Sequence, residues 1–171
     1  GLMLRSHVHL HLAAGAVLRA AAAYDAFAAT VDRVVSEESD RVFLLARQAR
    51  GVRISGPGTL EGRGELWCSE IDPQSGARVP KQRRPRMIVV EDSAGVEIED
   101  LAIRSAPMWT VHLVASRDVR VSKVDIDNDM AQPNTDGIVI DSCEDVTIED
   151  VSVKAADDSI VIKTCRLPDG R

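Results

Sequence analysis

Three acidic side chains near the end of the sequence have the types and the spacing that acid–base chemistry requires. Asp136 lies in Asn134-Thr135-Asp136-Gly137, and Asp157 and Asp158 form an adjacent pair further along the chain. Like charges held close together raise one another's pKa, so at least one of three neighbouring carboxyls should keep its proton near neutrality. A protonated carboxyl beside ionised ones can hydrolyse a glycosidic bond, one group protonating the leaving oxygen and another acting on water. The alternative is that Asn, Asp and Gly simply form turns.

A repeat of apolar alternation predicts that these acids meet. It starts at Leu44, Ile88, Val111, Ile138 and Ile160, at intervals of 44, 23, 27 and 22 residues. A second alternating stretch opens eight residues after each of the first four starts. Period-two alternation predicts strands with one buried face. The 44-residue interval is either two repeats or one repeat with an insertion.

A period in the twenties with short strands and tight turns is typical of a solenoid. A leucine-rich repeat would show Leu and Asn at fixed positions and a helical segment, neither of which is visible, whereas a parallel β-helix needs only stacked strands. Stacked coils lie about 4.8 Å apart, so Asp136 and Asp158, each two residues before a start, should share a column. The column five residues after each start holds small residues, as a tight turn requires: Ala49, Ser93, Ser116, Cys143 and Cys165.

Length and composition fit a single domain of this kind. The 171 residues are 44% hydrophobic but only 3% aromatic, which predicts a core of Val, Ile, Leu and Ala. We expect one all-β, partial β-helix domain over residues 1–171 with about five to six coils. An irregular excursion is expected at about 19–40, with a short helix near 19–35, and a long loop rich in Gly, Pro and charge at about 62–86.

The hydropathy and the ends of the sequence give expectations about membrane spans, signal peptides and the extent of the protein. No apolar run approaches the roughly 20 residues that span a membrane, and the first residues lack the pattern of a signal peptide. The sequence starts and stops inside the repeat pattern, so we expect it to be a piece of a longer protein.

Two longer motifs resemble signatures of the polygalacturonase family, glycoside hydrolase family 28. These are Gln132–Gly137 and Ala156–Lys163, and Gly56–Gly64 and Ser105–Trp109 are similar to further landmarks of the family. The resemblance covers the chain from about Leu10 onward. It implies a right-handed, pectin-lyase-like parallel β-helix that hydrolyses α-1,4 galacturonosyl links in pectin with inversion and without a cofactor.

The resemblance also implies roles for the acids. Asp157 would be the general acid, with Asp136 and Asp158 as bases for the attacking water. Asn134 is a candidate for substrate binding. Trp109 shares the column of Asp136 and would either form a sugar platform or pack beneath the cleft.

The sequence departs from the family pattern in two ways. Ala156 stands where Gly is usual and Ser159 where Cys is common, both small changes. The downstream Gly-His-Gly and Arg-Ile-Lys motifs do not occur, so we expect an N-terminal and central piece that is weakly active or inactive alone.

The expected partner is a pectic polysaccharide or oligogalacturonide and not nucleic acid. We expect a monomer at full length, and the resemblance favours a secreted or periplasmic location. A non-catalytic carbohydrate-binding or adhesive β-helix is the alternative, and a β-helical lyase, which needs a strong base and usually calcium, fits less well.

Other groups of residues offer weaker hypotheses. The net charge of −6 would repel a polyanion, and the basic residues Lys81, Arg83, Arg84 and Arg86 either offset this or are merely solvated.

His7, His9 and His11 alternate along a strand, as zinc ligands or an exposed face would. Asp125, Asp127 and Asp129 open like a calcium loop but have Met130 where Gly is expected, so they also fit a polar turn. No metal site is predicted. Cys143 and Cys165 would form either a disulfide or a pair of free thiols, with Cys68 left over.

Overall fold

The computed structural model describes residues 1–36 and 39–164. Its strands are β1 (Leu2–Leu4), β2 (His9–His11), β3 (Val17–Arg19), β4 (Val31–Ser36), β5 (Ser39–Arg47), β6 (Arg50–Ser55), β7 (Thr59–Glu61), β8 (Arg86–Glu91), β9 (Ala94–Arg104), β10 (Val111–Val114), β11 (Arg117–Asp127), β12 (Ile138–Asp141), β13 (Glu144–Glu149), β14 (Ser152–Lys154) and β15 (Ile160–Lys163). Two short 3₁₀ helices, Tyr24–Phe27 and Gly64–Trp67, interrupt them.

The first sheet is a stack of parallel strands in the order β1-β5-β8-β10-β12-β15. Its register aligns the predicted repeat starts, since Leu44 pairs with Ile88, Ile88 with Val111, Val111 with Ile138 and Ile138 with Ile160. The predicted parallel β-helix is therefore confirmed. Because β5 pairs directly with β8, the 44-residue interval is one coil with an insertion.

The second and third faces of the coil continue from the first. The order β13-β11-β9-β6-β2 forms the second face, in which Val52, Val96, Val119 and Val146 align. The ends of β9 and β11 bend to form the third face with β3, β7 and β14. The turn between the first two faces has a left-handed residue, with φ of 50° at Gln48 and 48° at Asp92. A second left-handed residue follows at the second position of the next strand, Gly51 in β6 and Gly95 in β9, in the region that glycine enters most readily.

The core fills the space between these faces. It is built mainly from Val, Ile and Leu, including the starts Leu44, Ile88, Val111 and Ile138. The small-residue column lies at the turn as predicted, with Ala49, Ser93 and Ser116 buried. The Ser116 hydroxyl accepts the Ser93 N–H at 3.1 Å, and the Ser93 hydroxyl accepts the Ala49 N–H at 3.1 Å. These hydroxyls satisfy buried amides where the chain turns.

The excursion after β3 contains the 3₁₀ helix Tyr24–Phe27 and the strand β4, which returns antiparallel to β5. Residues 31–34 of β4 form a strap across the outer side of the first sheet. Val34 packs there with Val42, Leu45, Val89 and Val114. The strap thus covers β5, β8 and β10.

The second departure from the repeat follows β7. Residues 62–85 contain the 3₁₀ helix Gly64–Trp67 and an isolated antiparallel bridge between Cys68 and Pro80, and otherwise run as a loop. Helices in the described ranges are too short to be candidates for crossing a membrane.

Candidate active site

Backbone hydrogen bonds place the acidic residues on adjacent coils. The Gly137 N–H donates to the Asp158 carbonyl at 2.9 Å, and the Ile138 N–H donates to the Ser159 carbonyl at 3.0 Å. With Ile138 paired to Ile160, Asp136 and Asp158 lie side by side at the start of β12 and β15. Asp157 precedes Asp158 on the same turn. The column predicted from the repeat is therefore present.

The three carboxylates converge. Asp136, Asp157 and Asp158 each contribute an oxygen that lies within 4.8 Å of the oxygens contributed by the other two. Asp136 is only 2% exposed, whereas Asp157 and Asp158 are exposed. The Asp157 carboxylate accepts the Asp158 N–H at 3.0 Å, which fixes one side of the pair. The side chains come together rather than splaying to the roughly 6.5 to 9.5 Å that is typical of inverting acid–base pairs.

A glycine permits this close stacking. A Cβ at Gly137 would lie 2.4 Å from the Ser159 carbonyl oxygen and 2.4 Å from Val153 Cγ1. Real Cβ atoms do not approach other atoms so closely, because the packed interior has no room for the overlap. Gly137 therefore allows the turn of β15 to approach the turn of β12 and brings the acids into reach of one another.

A buried amide supports the turn that carries Asp136. The Asn128 amide donates to the Thr110 hydroxyl at 2.8 Å and to the Thr135 carbonyl at 3.1 Å, and its oxygen accepts the Ala106 N–H at 2.9 Å. The Thr135 hydroxyl accepts the Ala156 N–H from the next coil at 3.1 Å. Because these groups are buried and paired, they hold the turn in one conformation.

The electrostatics single out Asp136. Burial raises the pKa of its carboxyl, and the nearby Asp157 charge raises it further. The Lys163 ammonium, 3.4 Å from Asp136 Oδ2, acts in the opposite direction but does not cancel these effects. Asp136 Oδ1 is buried without a hydrogen-bond partner. The sequence predicts that at least one carboxyl of the group keeps its proton near neutrality, and Asp136 is the member whose pKa is raised.

Trp109 lies behind the acids rather than on the surface. Its ring is 2% exposed and packs with Met108, Val139 and Val161. The Arg86 guanidinium lies 4.7 Å from the ring centroid and the Lys163 ammonium 4.3 Å. Of the two alternatives from the sequence, this arrangement matches packing beneath the cleft.

Asn134 lies next to the acids in a left-handed conformation, with φ of 58°. Its side-chain oxygen accepts a hydrogen bond from Arg84 at 2.6 Å, and Arg84 also donates to the Pro133 carbonyl at 2.6 Å and the Pro107 carbonyl at 3.2 Å. Arg84 therefore fixes the Asn134 amide with its oxygen inward, which leaves the NH₂ donors as the groups available to a ligand.

The proposed cationic surface of the loop requires a correction. Lys81 and Arg83 are exposed, but Arg84 is 4% exposed and Arg86 is fully buried. Arg86 belongs to β8 and pairs with Asp32 of the strap, and it also donates to the Val34 carbonyl at 2.7 Å. Arg84 and Arg86 are therefore buried, because Arg84 donates to carbonyls of the turns and Arg86 binds Asp32 and the Val34 carbonyl of the strap.

The Arg86 contact extends into a buried polar network on the outer side of the first sheet. His112 lies 3.7 Å from Asp32 and 3.4 Å from Asp141. Its ring also meets Trp109 edge to face at 5.1 Å between centroids. Burial lowers the pKa of His112 despite its contact with Asp141. The imidazole is therefore neutral at neutral pH.

The alternative metal motifs do not assemble. His9 and His11 lie 5.6 Å apart between ring centroids and both contact Ser55, while His7 lies at the preceding turn beside Gly51. Within residues 1–36 and 39–164, the only set of three converging His, Cys, Asp or Glu side chains is the aspartate triad.

The calcium-like aspartates are each engaged by a basic residue. Asp125 pairs with Arg104, Asp127 with Lys154 at 2.9 Å, and Asp129 with Arg78 at 2.7 Å. These pairs match the interpretation as a polar turn.

The cysteine column is only partly visible. Cys143 is a half-buried thiol whose sulfur lies 3.4 Å from the Asp141 carbonyl, and Cys68 is buried. Cys165 lies outside the described residues, so both alternatives for it and Cys143, a disulfide and a pair of free thiols, stay predictions.

A cleft of about 400 Å³ lies away from the acids. Turn residues between the first two faces line it, among them Gln48, Asp92, Ser93 and Ser116. These residues follow the first-sheet strands, whereas Asp136 and Asp158 precede them, so the cleft is at the opposite edge of the sheet. It lacks the triad that makes the other edge the candidate site.

Fold and site together define a parallel β-helix with a cluster of carboxylates at one edge of its first sheet. The chain belongs to the glycosyl hydrolases family 28, whose model matches residues 13–166. It is similar to a probable polygalacturonase of Vitis vinifera, with 36% identity over 107 residues that cover 63% of this chain and 21% of the relative. A polygalacturonase of Cryptomeria japonica is 24% identical over 142 residues, covering 82% of this chain and 28% of the relative.

Solved structures share the fold. A polygalacturonase from Erwinia carotovora ssp. carotovora superimposes with a TM-score of 0.78 and 24% identity, over 95% of this chain and 46% of that one. A family 28 exopolygalacturonase from Yersinia enterocolitica gives a TM-score of 0.74 with 17% identity, over 94% of this chain and 36% of that one. The chain spans about a quarter of the length of the curated relatives it matches.

Lys163 is the site residue that the sequence reasoning did not assign a role. Its position could have been found from the register, because Lys163 pairs with Asp141 one coil away. Which group the long side chain contacts depends on the bend of the turn, and the repeat pattern does not encode it.

Proposed function

We propose that the protein carrying this chain hydrolyses galacturonan-type α-1,4 links in pectic polysaccharide, with Asp136, Asp157 and Asp158 as its acid–base groups. The observation that carries the proposal is the convergence of three carboxylate oxygens within 4.8 Å of one another. Membership of family 28 supports the reaction class. The probable polygalacturonase and exopolygalacturonases among the relatives support the pectic substrate.

In the proposed reaction Asp157 protonates the glycosidic oxygen while water attacks the anomeric carbon from the opposite side. The C1–O bond breaks as the new C1–O bond to water forms, and the proton lost by the water passes to Asp136 or Asp158. A general acid must touch the leaving oxygen, and exposed Asp157 meets this condition better than Asp136, which is 2% exposed.

The spacing of the acids suits a water held directly between them. Two oxygens within 4.8 Å of each other can both accept hydrogen bonds from one water, each at about 2.8 Å. Such a water is oriented before the sugar arrives, and it loses its proton only as the bond to the anomeric carbon forms. The proposal of inversion rests on this position for the water and not on the usual separation of acid and base. Asn134 is proposed to donate to the substrate through its NH₂ group.

The test is hydrolysis of polygalacturonate by the natural full-length protein, measured as new reducing ends. Asp157→Asn and Asp158→Asn should each lower kcat by about 10² to 10⁴, the usual contribution of a positioned acid or base. Asp127→Asn is the matched control, because Asp127 is an exposed aspartate paired with Lys154, and it should leave kcat unchanged. Proton NMR of the first product should show the β-anomer.

Two results would count against the proposal. If Asp158→Asn cleaves as fast as the natural protein, the acids do not carry the chemistry. If the protein is retained on immobilised pectin but releases no reducing ends, it is the non-catalytic binding module instead.

A further inference from the structure

We propose that Lys163 is a positioning residue that keeps the buried Asp136 carboxylate ionised and directed at the water site. This rests on the proposed role of Asp136 as a base. Lys163 is the last residue of β15, on the same coil as Asp157 and Asp158, which precede the strand. Its ammonium reaches back to 3.4 Å from Asp136 Oδ2.

The indole of Trp109 fixes the path of the lysine. The ammonium lies 4.3 Å from the centroid of the ring, a separation at which a cation is attracted to the aromatic face. Trp109 cannot easily give way, because it is 2% exposed and Arg86 also lies against it at 4.7 Å. The lysine is therefore held by two different attractions, one from the ring and one from the carboxylate.

Asp136 needs such a partner in order to act as a base. Its side chain is 2% exposed and its Oδ1 has no hydrogen-bond partner, so little within the fold stabilises the negative charge. Burial and the Asp157 charge both favour the protonated form, and Lys163 is the cation that opposes them. A protonated Asp136 cannot accept a proton from water. Without Lys163, Asp136 would become protonated at a higher pH as the solution is acidified, and the site would then have no buried base.

The charged and titratable groups around Asp136 come from the four coils that contain β8, β10, β12 and β15. Asp157 and Asp158 face it from the turn before β15, and Lys163 faces it from the end of that strand. On the other side stands Trp109, with Arg86 and His112 against the ring and Asp141 next to His112. Arg86 is already paired with Asp32, so Lys163 is the cation in direct contact with Asp136.

The lysine is also partly open to solvent. Its side chain is 29% exposed, whereas the Asp136 side chain that it contacts is 2% exposed. A partly exposed ammonium loses little by desolvation and yet interacts with a carboxylate in a medium less polar than water. Its main effect is therefore expected on the protonation of Asp136, and through linkage on the stability of the fold only above the pH at which Asp136 ionises in the unfolded chain.

The experiment titrates Asp136 by ¹³C NMR of its side-chain carboxyl, which requires no activity. Lys163→Met removes the charge but keeps an unbranched side chain over Trp109, and the Asp136 midpoint should move to higher pH. Lys163→Arg keeps the charge, so its Asp136 midpoint should stay close to that of the natural chain. Lys154→Met is the matched control, since Lys154 pairs with Asp127 on the surface, and it should leave the midpoint where it is.

A second measurement uses the natural chain alone and does not depend on the folding of any variant. The ¹⁵N shift of the Lys163 ammonium should change at the same pH at which Asp136 titrates. An Asp136 midpoint that stays unchanged or falls in Lys163→Met, or a Lys163 signal that ignores the protonation of Asp136, would overturn the inference.

Activity provides the separate link to the proposed function. In the full-length protein, Lys163→Met should shift the acidic limb of the kcat profile to higher pH and leave the rate on the alkaline side of that limb largely intact. A merely structural lysine would lower the rate at every pH. If the NMR midpoint shifts but the natural protein cleaves no galacturonan, the proposed function fails while the Lys163 contact stands.

Discussion

Substituting Gly137 by alanine tests whether close stacking of two coils assembles the acidic site. The new Cβ would lie 2.4 Å from the Ser159 carbonyl oxygen and from Val153 Cγ1. Ordinary contacts begin near 3.4 Å, so the two turns must separate by about 1 Å or the side chain of Val153 must move. Overpacking of this kind costs about 1–3 kcal/mol.

The same substitution threatens a hydrogen bond. The Ser159 carbonyl accepts the Ile138 N–H at 3.0 Å, and a displaced carbonyl would weaken a bond with a net value of about 0.5–1.5 kcal/mol. The expected total is about 2–4 kcal/mol. For a chain of this size each kcal/mol lowers Tm by roughly 2–4 °C, so the fall in Tm should be on the order of 10 °C.

Circular dichroism on heating measures the effect, and two variants check its origin. Ser159→Ala changes an exposed side chain on the same turn and should leave Tm nearly unchanged. Val153→Ala in the Gly137→Ala background should recover part of the loss, because it removes one of the two clashing atoms, and the coupling follows from a double-mutant cycle. An unchanged Tm in Gly137→Ala, or a Val153→Ala exchange with purely additive effects, would refute the stacking argument.

Three further perturbations address the groups around the site. Asp136→Asn should stabilise the chain at pH 7, because the folded-state pKa of Asp136 is raised and its ionised form therefore costs stability. This advantage over the natural chain should vanish as the pH falls below the pKa of Asp136 in the unfolded chain. Urea denaturation at several pH values measures it. Arg86→Met leaves Asp32 buried without its partner and should cost about 3–5 kcal/mol by urea denaturation, with partial recovery in the double variant with Asp32→Asn. Asn128→Ala removes the hydrogen bond to the Thr135 carbonyl and should cost about 1–3 kcal/mol in the same assay, and a loss below the error of the measurement would contradict its bracing role.

The repeat predicted the register because side-chain alternation and coil stacking are both local, periodic properties. Once Ile138 was aligned with Ile160, the proximity of Asp136 and Asp158 followed from backbone spacing alone. The small residues Ser93 and Ser116 were recognisable for the same reason, since every coil turns at the same place. Family resemblance then suggested roles for the acids that spacing cannot assign.

The burial of the basic residue Arg86 could not be predicted from the repeat. Arg86 is buried because the strap crosses the sheet and places Asp32 next to it, a contact 54 residues apart in sequence. Arg86 lies two residues before the start Ile88 and so belongs to the repeat, but Asp32 lies in the insertion outside it. Burial of Trp109 likewise depends on Arg86 and Lys163 closing over its ring. Contacts between an insertion and the solenoid depend on shape in three dimensions, which periodicity does not describe.

The strap has a consequence for how far apart functional parts of this molecule can be. Residues 31–34 cover β5, β8 and β10, and the acids stand at the next two strands, β12 and β15. β10 and β12 are adjacent strands, so no whole coil separates the strap from the acids. A coil inserted there would move the acids about 4.8 Å further from the strap and would also separate Lys163 from the ring of Trp109. The strap and the acidic site therefore occupy consecutive coils, and a change in the number of coils between them would disturb the site.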